Sequence, residues 1–572
     1  MTATALDRAA LDRLGPLAEG AAAVAADLLS RDAVRRIFAN DHTLWRDDPT
    51  EISDRLGWMP VVSEVLDGLD ELRARCDALL DGVDHVLVMG MGGSSLFPEV
   101  LARMFVDSSR RSGPTLHVLD TTDPVAIARV SAACPADRTL HLASSKSGST
   151  IETRSHLEWA WQRSGDPARF AVVTDPGSEL GALARERGFA EVFENRADIG
   201  GRYSALSFFG IVPALLAGVD AGELLRGGLD ALAECGPNVD AAGNPALTLA
   251  AALAAGVRAG RDKATFVLHP AAASVGLWLE QLIAESLGKD GTGVVPIVGE
   301  PLGPPAVYGD DRLFVVDPSQ LDSMADLIEA GHPVIALPNP LIAAIDRSAA
   351  ASEGSSSAGA DGGSAHQPVA ASVGSNIGMP STRALGHLVV AAELATALTA
   401  AAIGVQPFDQ PDVAAAKAAT NDVLASGDTG LSETPLADLL AQLRPGDHLA
   451  IQAFVDPGGE HAASLEAARS ALREEHRVAT SLGFGPRFLH STGQLHKGGP
   501  ESIVCVQVVD DDPVDIPIPG REFGFGELKQ AQATGDLRIL QARGVRAGRV
   551  PAGSLNAYAR HARVSVHRSG DG

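Results

Sequence analysis

Short β-branched apolar runs that alternate with helical segments constrain this chain more than any other feature. VDHVLVMG (83–90), TLHVLD (115–120), TLHLAS (139–144) and RFAVVTD (169–175) each run into Gly, Ser or Asp-Pro signals, with FPEVLARMFVDSS and IETRSHLEWAWQR reading as helices between them. Such runs bury both faces of a strand, so the pattern is βαβ alternation and predicts a parallel sheet covered by helices. After a largely helical stretch at about 204–260, the alternation resumes in KATFVLHP, GVVPIVGE, RLFVVD and HPVIALP, with SVGLWLEQLIAESLG helical. From about 445 a third region alternates through HLAIQAFVD, SLEAARSALREEHRVATSLG, SIVCVQVVD and DLRILQARG.

Residues 1–80 show apolar positions at three and four spacings and read as helical. The predicted organisation is a helical N-terminal segment (1–80), a first α/β unit (81–235), a second (236–430) and a C-terminal α/β region (431–572). The Ser/Gly/Ala-rich stretch at 348–376 is expected to be a flexible insertion inside the second unit.

Composition excludes several classes of function. The formal charge of -26, from 72 acidic against 46 basic residues, disfavours nucleic acid as a partner. Four scattered cysteines, Cys76, Cys134, Cys235 and Cys505, supply neither a disulfide framework nor a zinc site. No run of about 18 uninterrupted apolar residues and no apolar signal-peptide core is present, so neither a membrane span nor export is expected, and the cytoplasm is the default location.

Against that acidity stands HLASSKSGST (141–150), in which Ser144, Ser145, Ser147, Ser149 and Thr150 crowd Lys146 ahead of a helix. Hydroxyls and free N–H groups at a helix N-terminus make an anion site, whereas a plain cap needs one hydroxyl. MGMGGSS, at the end of the first strand, adds Gly93 and Ser94 in a second loop suited to close approach of a ligand. A dinucleotide fold competes for this loop, but its spacing is G-x-G-G-S and only Asp120 offers an acid after the second strand. Two such loops at strand C-termini describe a sugar-phosphate pocket better than a nucleotide one.

Further along, IGGRYSALS frames Arg202 with glycines, and its bland alternative is a surface ion pair with Glu194 or Asp198. EQLIAESLGKDG sets Gln281 and Glu285 four residues apart on one helix face, with Lys289 placed to pair with Glu285 and Glu280 turned off that face. A general base at Glu285 requires burial. QPFDQPDVAAAK offers Gln410 and Lys417.

Taken in order, GMGGSS, SSKSGSTIET, IGGRYSALS, EQLIAESLGKDG and PFDQPDVAAAK resemble the successive signatures of the phosphoglucose isomerase family, over roughly residues 60–420. The tail, with FLHSTGQLHKGGPES, resembles the isomerase half of bacterial transaldolase–phosphoglucose isomerase fusions, and 80 helical residues before the first strand are too few for a transaldolase barrel. The resemblance implies two sugar-isomerase (SIS-type) doubly wound units and interconversion of glucose 6-phosphate and fructose 6-phosphate through a cis-enediolate. No cofactor and no metal are implied.

Residue by residue, the resemblance makes Gly93, Ser94, Ser145, Lys146, Ser147, Ser149 and Thr150 substrate loops, the second set holding phosphate. It makes Glu285 the base, Arg202 the enediolate-stabilising cation, Gln281 and Gln410 substrate contacts, and Lys417 a ring-end contact. It further implies a homodimer, and leaves open association with a separate transaldolase.

Two departures stand out. Asp412 and Ala414 replace a glycine and a glutamate of the family's lysine motif. The family's ring-opening histidine follows a GEP-type segment and comes from the neighbouring subunit, yet GEPLGPPAVYGDDRLF (299–314) contains no histidine. His490 is the chosen substitute, with His496 second, while His387 reads as a packed helix position. The alternatives kept beside this reading are a non-catalytic sugar-phosphate sensor and an isomerase of another sugar phosphate, such as mannose 6-phosphate.

Overall fold

A computed structural model describes residues 6–105, 113–342, 380–430 and 432–569, and the expected flexible insertion at 348–376 lies outside the described residues. Three parallel sheets organise the chain. The first holds β1 (His85–Met89), β2 (Thr115–Leu119), β3 (Thr139–Ser144), β4 (Phe170–Thr174) and β5 (Glu191–Glu194) in the order β2-β1-β3-β4-β5. The second holds β6 (Lys263–Val267), β7 (Val295–Ile297), β8 (Arg312–Val316) and β9 (Val334–Ala336), ordered β7-β6-β8-β9. The third, in the C-terminal region, holds β10 (His448–Phe454), β11 (Ala479–Phe484), β12 (Ile503–Val509) and β13 (Arg546–Pro551), ordered β11-β10-β12-β13.

Central strands such as β3, β4, β8 and β10 are buried along their whole length, as their unbroken apolar runs require. The order reverses between β1 and β3, which makes the carboxyl ends of these two strands the topological switch point of the first sheet. GMGGSS follows β1 and SSKSGST follows β3, so both suspected ligand loops meet there.

One hydrophobic core runs from the N-terminal helices through both of the first two sheets, joining residues such as Leu14, Trp58, Val86, Phe97, Trp278 and Val315. The helix Thr382–Ile403 is long and apolar enough to cross a membrane, yet 94% of its apolar window is buried in this core. His387 lies in that helix with Nε2 2.9 Å from Glu234 Oε2.

The C-terminal sheet has a core of its own, built on Leu449, Ile451, Leu465, Leu472 and Val506. It meets the rest of the chain through apolar clusters, which join Phe525 and Leu528 to Met89 and Leu157, and Leu495 to Ala284 and Ile297, and through polar contacts. Arg487 grips Asp120 with two hydrogen bonds of 2.8 and 2.7 Å, and Lys529 reaches Asp123 at 2.9 Å. Asp120 is thereby committed to an arginine, which removes the one acid that favoured a dinucleotide ribose. On the second unit, Glu300 of the GEP segment is fully buried, paired with Arg312 at 3.0 Å and accepting from the Thr480 hydroxyl at 2.9 Å. The GEP segment therefore docks the C-terminal unit.

Candidate active site

The loops after β1 and β3 open onto a cavity of about 530 Å³, a size usual for small-molecule sites. Gly93, Ser94, Ser145, Lys146, Ser147 and Thr150 line one part of it. A side chain at Gly93 cannot exist, because its Cβ would sit 1.9 Å from the Gly201 carbonyl oxygen, and this close approach brings the Arg202 loop onto GGSS.

Within the second loop, Ser145 Oγ accepts from the Gly148 amide at 3.1 Å and lies 3.3 Å from Thr150 Oγ1. Ser147 and Ser149 hydroxyls bond each other at 2.9 Å, and Ser149 itself faces an adjoining cavity of about 300 Å³ that shares Thr150, Lys417 and His490. Thr150 stands at the N-cap of the helix Ile151–Ser164, and no side chain caps it. The positive end of that helix faces the loop.

Lys146 is less free than its sequence surroundings suggest. Its ammonium bonds Asp175, from the end of β4, and the Ala197 carbonyl at 2.6 Å. Burial raises the Asp175 carboxyl, and Lys146 works against that rise. The sequence neighbours of Lys146 carry no acid, so only the fold reveals this partner.

The other wall comes from the helix Val275–Leu287. Glu285 is 7% exposed, which meets the burial demanded of a general base. Gln281 Nε2 donates to Glu285 Oε2 at 3.0 Å and to the His490 carbonyl at 2.9 Å, while Gln281 Oε1 is buried with no protein partner. Arg202 does not take the surface partners weighed from sequence: Glu194 pairs with Arg185 and Asp198 with Arg196. Its guanidinium is buried, 3.5 Å from Glu285 Oε1, and held by the Glu285 carbonyl at 2.7 Å, carbonyls of Pro407, Phe408 and Asp409, and Gln410 Oε1 at 2.6 Å. Gln410 and the exposed Lys417 complete this side. Lys289 bonds Asp409 at 2.6 Å rather than Glu285, and burial, then the charge of Arg202, push its ammonium down to about 8.

His490 enters the same cavity from the C-terminal unit of the same chain. Its Nε2 lies 2.9 Å from Glu152 Oε1, and Gln532 donates to that same oxygen at 2.6 Å. Burial alone would raise Glu152, but the His490 charge and hydrogen bond prevail and hold it at about 2. Glu152 and Gln532 carry no local sequence signal for this placement. The acid directly after SGSTI was visible, but its burial against a histidine 338 residues away was not. His496 is elsewhere, buried with Nδ1 2.9 Å from Gln452 Nε2, and burial holds it at about 3. Among the described residues, no cluster of His, Cys, Asp or Glu is arranged to hold a metal.

A hydroxyl cradle for an anion at one end and a buried carboxylate beside a fixed cation at the other share one cavity at a switch point. That combination, on doubly wound sheets, defines an isomerase of phosphorylated sugars. Comparison with known proteins narrows the class. The family model for phosphoglucose isomerase matches residues 43–294. A glucose-6-phosphate isomerase of Rubrobacter xylanophilus is 30% identical over 414 residues, 65% of this chain and 89% of that relative. One from Thermus thermophilus is 32% identical over 57% of this chain and 73% of the relative. In structure, a hypothetical protein from Thermus thermophilus superposes with a TM-score of 0.55 at 24% identity, covering 72% of this chain and 99% of that one. The chain belongs to the phosphoglucose isomerase family.

Proposed function

We infer that the protein interconverts glucose 6-phosphate and fructose 6-phosphate, the reaction shared by glycolysis and gluconeogenesis. Glu285 carries this reading most directly: a buried carboxylate, 3.5 Å from a fixed guanidinium, shares a cavity with a hydroxyl-rich anion loop. The phosphate rests against Ser145, Ser147, Ser149 and Thr150 at the helix N-terminus, with Gly93 and Ser94 closing over the sugar. His490 takes the ring-opening role through Nδ1, since Nε2 is bound to Glu152. Lys417 assists at the ring end, and Gln281 and Gln410 contact hydroxyls.

Glu285 then removes the proton from C2 of the open aldose and returns it to C1. The C–H electron pair becomes the C1–C2 double bond as the carbonyl π pair moves onto O1, giving the enediolate, and the O2 hydroxyl proton passes to O1 as the ketose forms. Arg202 stabilises that oxyanion mainly through its fixed charge, because carbonyls already occupy much of its fork. This chemistry calls for a positioned base and a stabilised oxyanion, and nothing more.

Family membership also supports a homodimer in the cytoplasm, so sedimentation should report twice 58.9 kDa. Association with a separate transaldolase remains a proposal for pull-down from the source cells. Glucose 6-phosphate tritiated at C2 tests the function itself. Release of tritium to water with formation of fructose 6-phosphate is expected. Binding without either would mark a sensor, and faster turnover of mannose 6-phosphate would reassign the substrate.

A further inference from the structure

Asp412 stands where the family's lysine motif carries glycine, and the structure gives it an occupation. It is the N-cap residue of the helix Val413–Ser426, which carries Lys417, yet its side chain caps nothing. An aspartate here ordinarily bonds the first-turn amides. Instead the carboxylate turns to the C-terminal unit. Oδ2 accepts from Gln494 Nε2 at 2.6 Å, Oδ1 pairs with Arg543 at 2.5 Å, and the Asp412 amide donates to Gln494 Oε1 at 3.1 Å.

Gln494 is 1% exposed and reaches further. Its Nε2 also lies 3.3 Å from the Gly288 carbonyl, at the end of the helix that carries Gln281 and Glu285. One amide therefore joins the end of the base's helix to the segment that bears Gln410 and Lys417. The room for it comes from Gly498, whose Cβ would fall 2.4 Å from Asp412 Oδ2 and 2.7 Å from Gln494 Nε2. Gln494 and Gly498 lie in the short helix Gly493–Gly498, which follows His490.

We propose that Asp412 and Gln494 are positioning residues for the isomerisation, a clasp by which the C-terminal unit sets Glu285 and the Gln410–Lys417 arm in register. The inference rests on the isomerase reading above. Neither residue lines the substrate cavity, so both act through the groups they hold. Displacing a catalytic group by about 1 Å can cost on the order of 100-fold in rate, which leaves a large signal to detect.

The test uses the full-length chain and follows kcat, KM and Tm for Asp412→Ala, Gln494→Ala, the double variant and Asp412→Asn. Each alanine variant is expected to lower kcat about tenfold with KM within about twofold, because the phosphate loops lie outside the clasp. The double variant is expected to be no slower than the worse single one, since both break one device. Asp412→Asn retains an oxygen for Gln494 and should recover most of kcat, and it serves equally if the alanine variants fail to fold. Unchanged kcat with lowered Tm, or independent additive losses in kcat, would overturn the clasp. A wild-type chain that does not isomerise would instead refute the function on which it rests.

Discussion

Gln281 illustrates how tightly single residues are constrained at this site. Its Nε2 faces two acceptors, the Glu285 carboxylate and the His490 carbonyl, so its amide cannot turn over without losing both bonds. The buried Oε1 has no protein partner, and if it accepts from a substrate hydroxyl as proposed, Gln281→Leu should raise KM about tenfold in steady-state kinetics. Glu152 makes a prediction in pH. Its carboxyl is depressed from an ordinary 4.5 to about 2, so its stabilising contribution is full above 4.5 and lost as pH falls toward 2. The Tm advantage of wild type over Glu152→Gln should therefore be steady at pH 6 and shrink below 4.5. An advantage that persists unchanged at low pH contradicts the His490–Glu152 pairing. Lys289 acts at the opposite end of the scale. Held at about 8, it gives up its proton and its grip on Asp409 as pH rises through that value. An alkaline limb in kcat near pH 8 is expected, and Lys289→Arg, which stays charged, should move it upward.

At the scale of elements, the proposed function assigns the loop between β3 and the helix Ile151–Ser164 to binding and not to chemistry. Replacing Ser147 and Thr150 by alanine and valine removes hydroxyls but leaves Glu285 in place. KM for glucose 6-phosphate should rise about tenfold or more, with kcat nearly unchanged. Equal losses in both constants would mean that the loop does more than hold phosphate. The elements also show what a sequence displays and what it conceals. Central strands announced themselves as apolar runs because both their faces are covered. β5, β11 and β13, which the apolar pattern did not mark separately, are edge strands with half-exposed sequences, EVFE, ATSLGF and RAGRVP. Loops rich in glycine and hydroxyls were equally legible as loops, since tight turns and close backbone approach need those residue types locally. The pairings Lys146–Asp175, Lys289–Asp409 and His490–Glu152 were not, because each joins segments that only the fold brings together.

For the whole molecule, the C-terminal unit helps to wall the candidate site. It brings His490 to the cavity, holds Glu152 through Gln532, and docks on the end of β2 through Arg487. Arg487→Met leaves Asp120 buried at 2% exposure without its cation, a break worth about 3–5 kcal/mol. A marked fall in Tm is expected by calorimetry, and kcat should fall at temperatures where the variant remains folded, because His490 lies three residues beyond the anchor. A stable variant with full activity would show that the docking does not govern the site.

The proposed function rests on Glu285, buried 3.5 Å from the Arg202 guanidinium, as the group that moves the proton. In D2O, the wild-type chain should place deuterium at C2 of glucose 6-phosphate as the two sugars exchange, read by proton NMR. Glu285→Gln should bind the same sugar phosphate with similar affinity and incorporate no deuterium. Incorporation by Glu285→Gln at a rate near that of the wild type would contradict its role as the base.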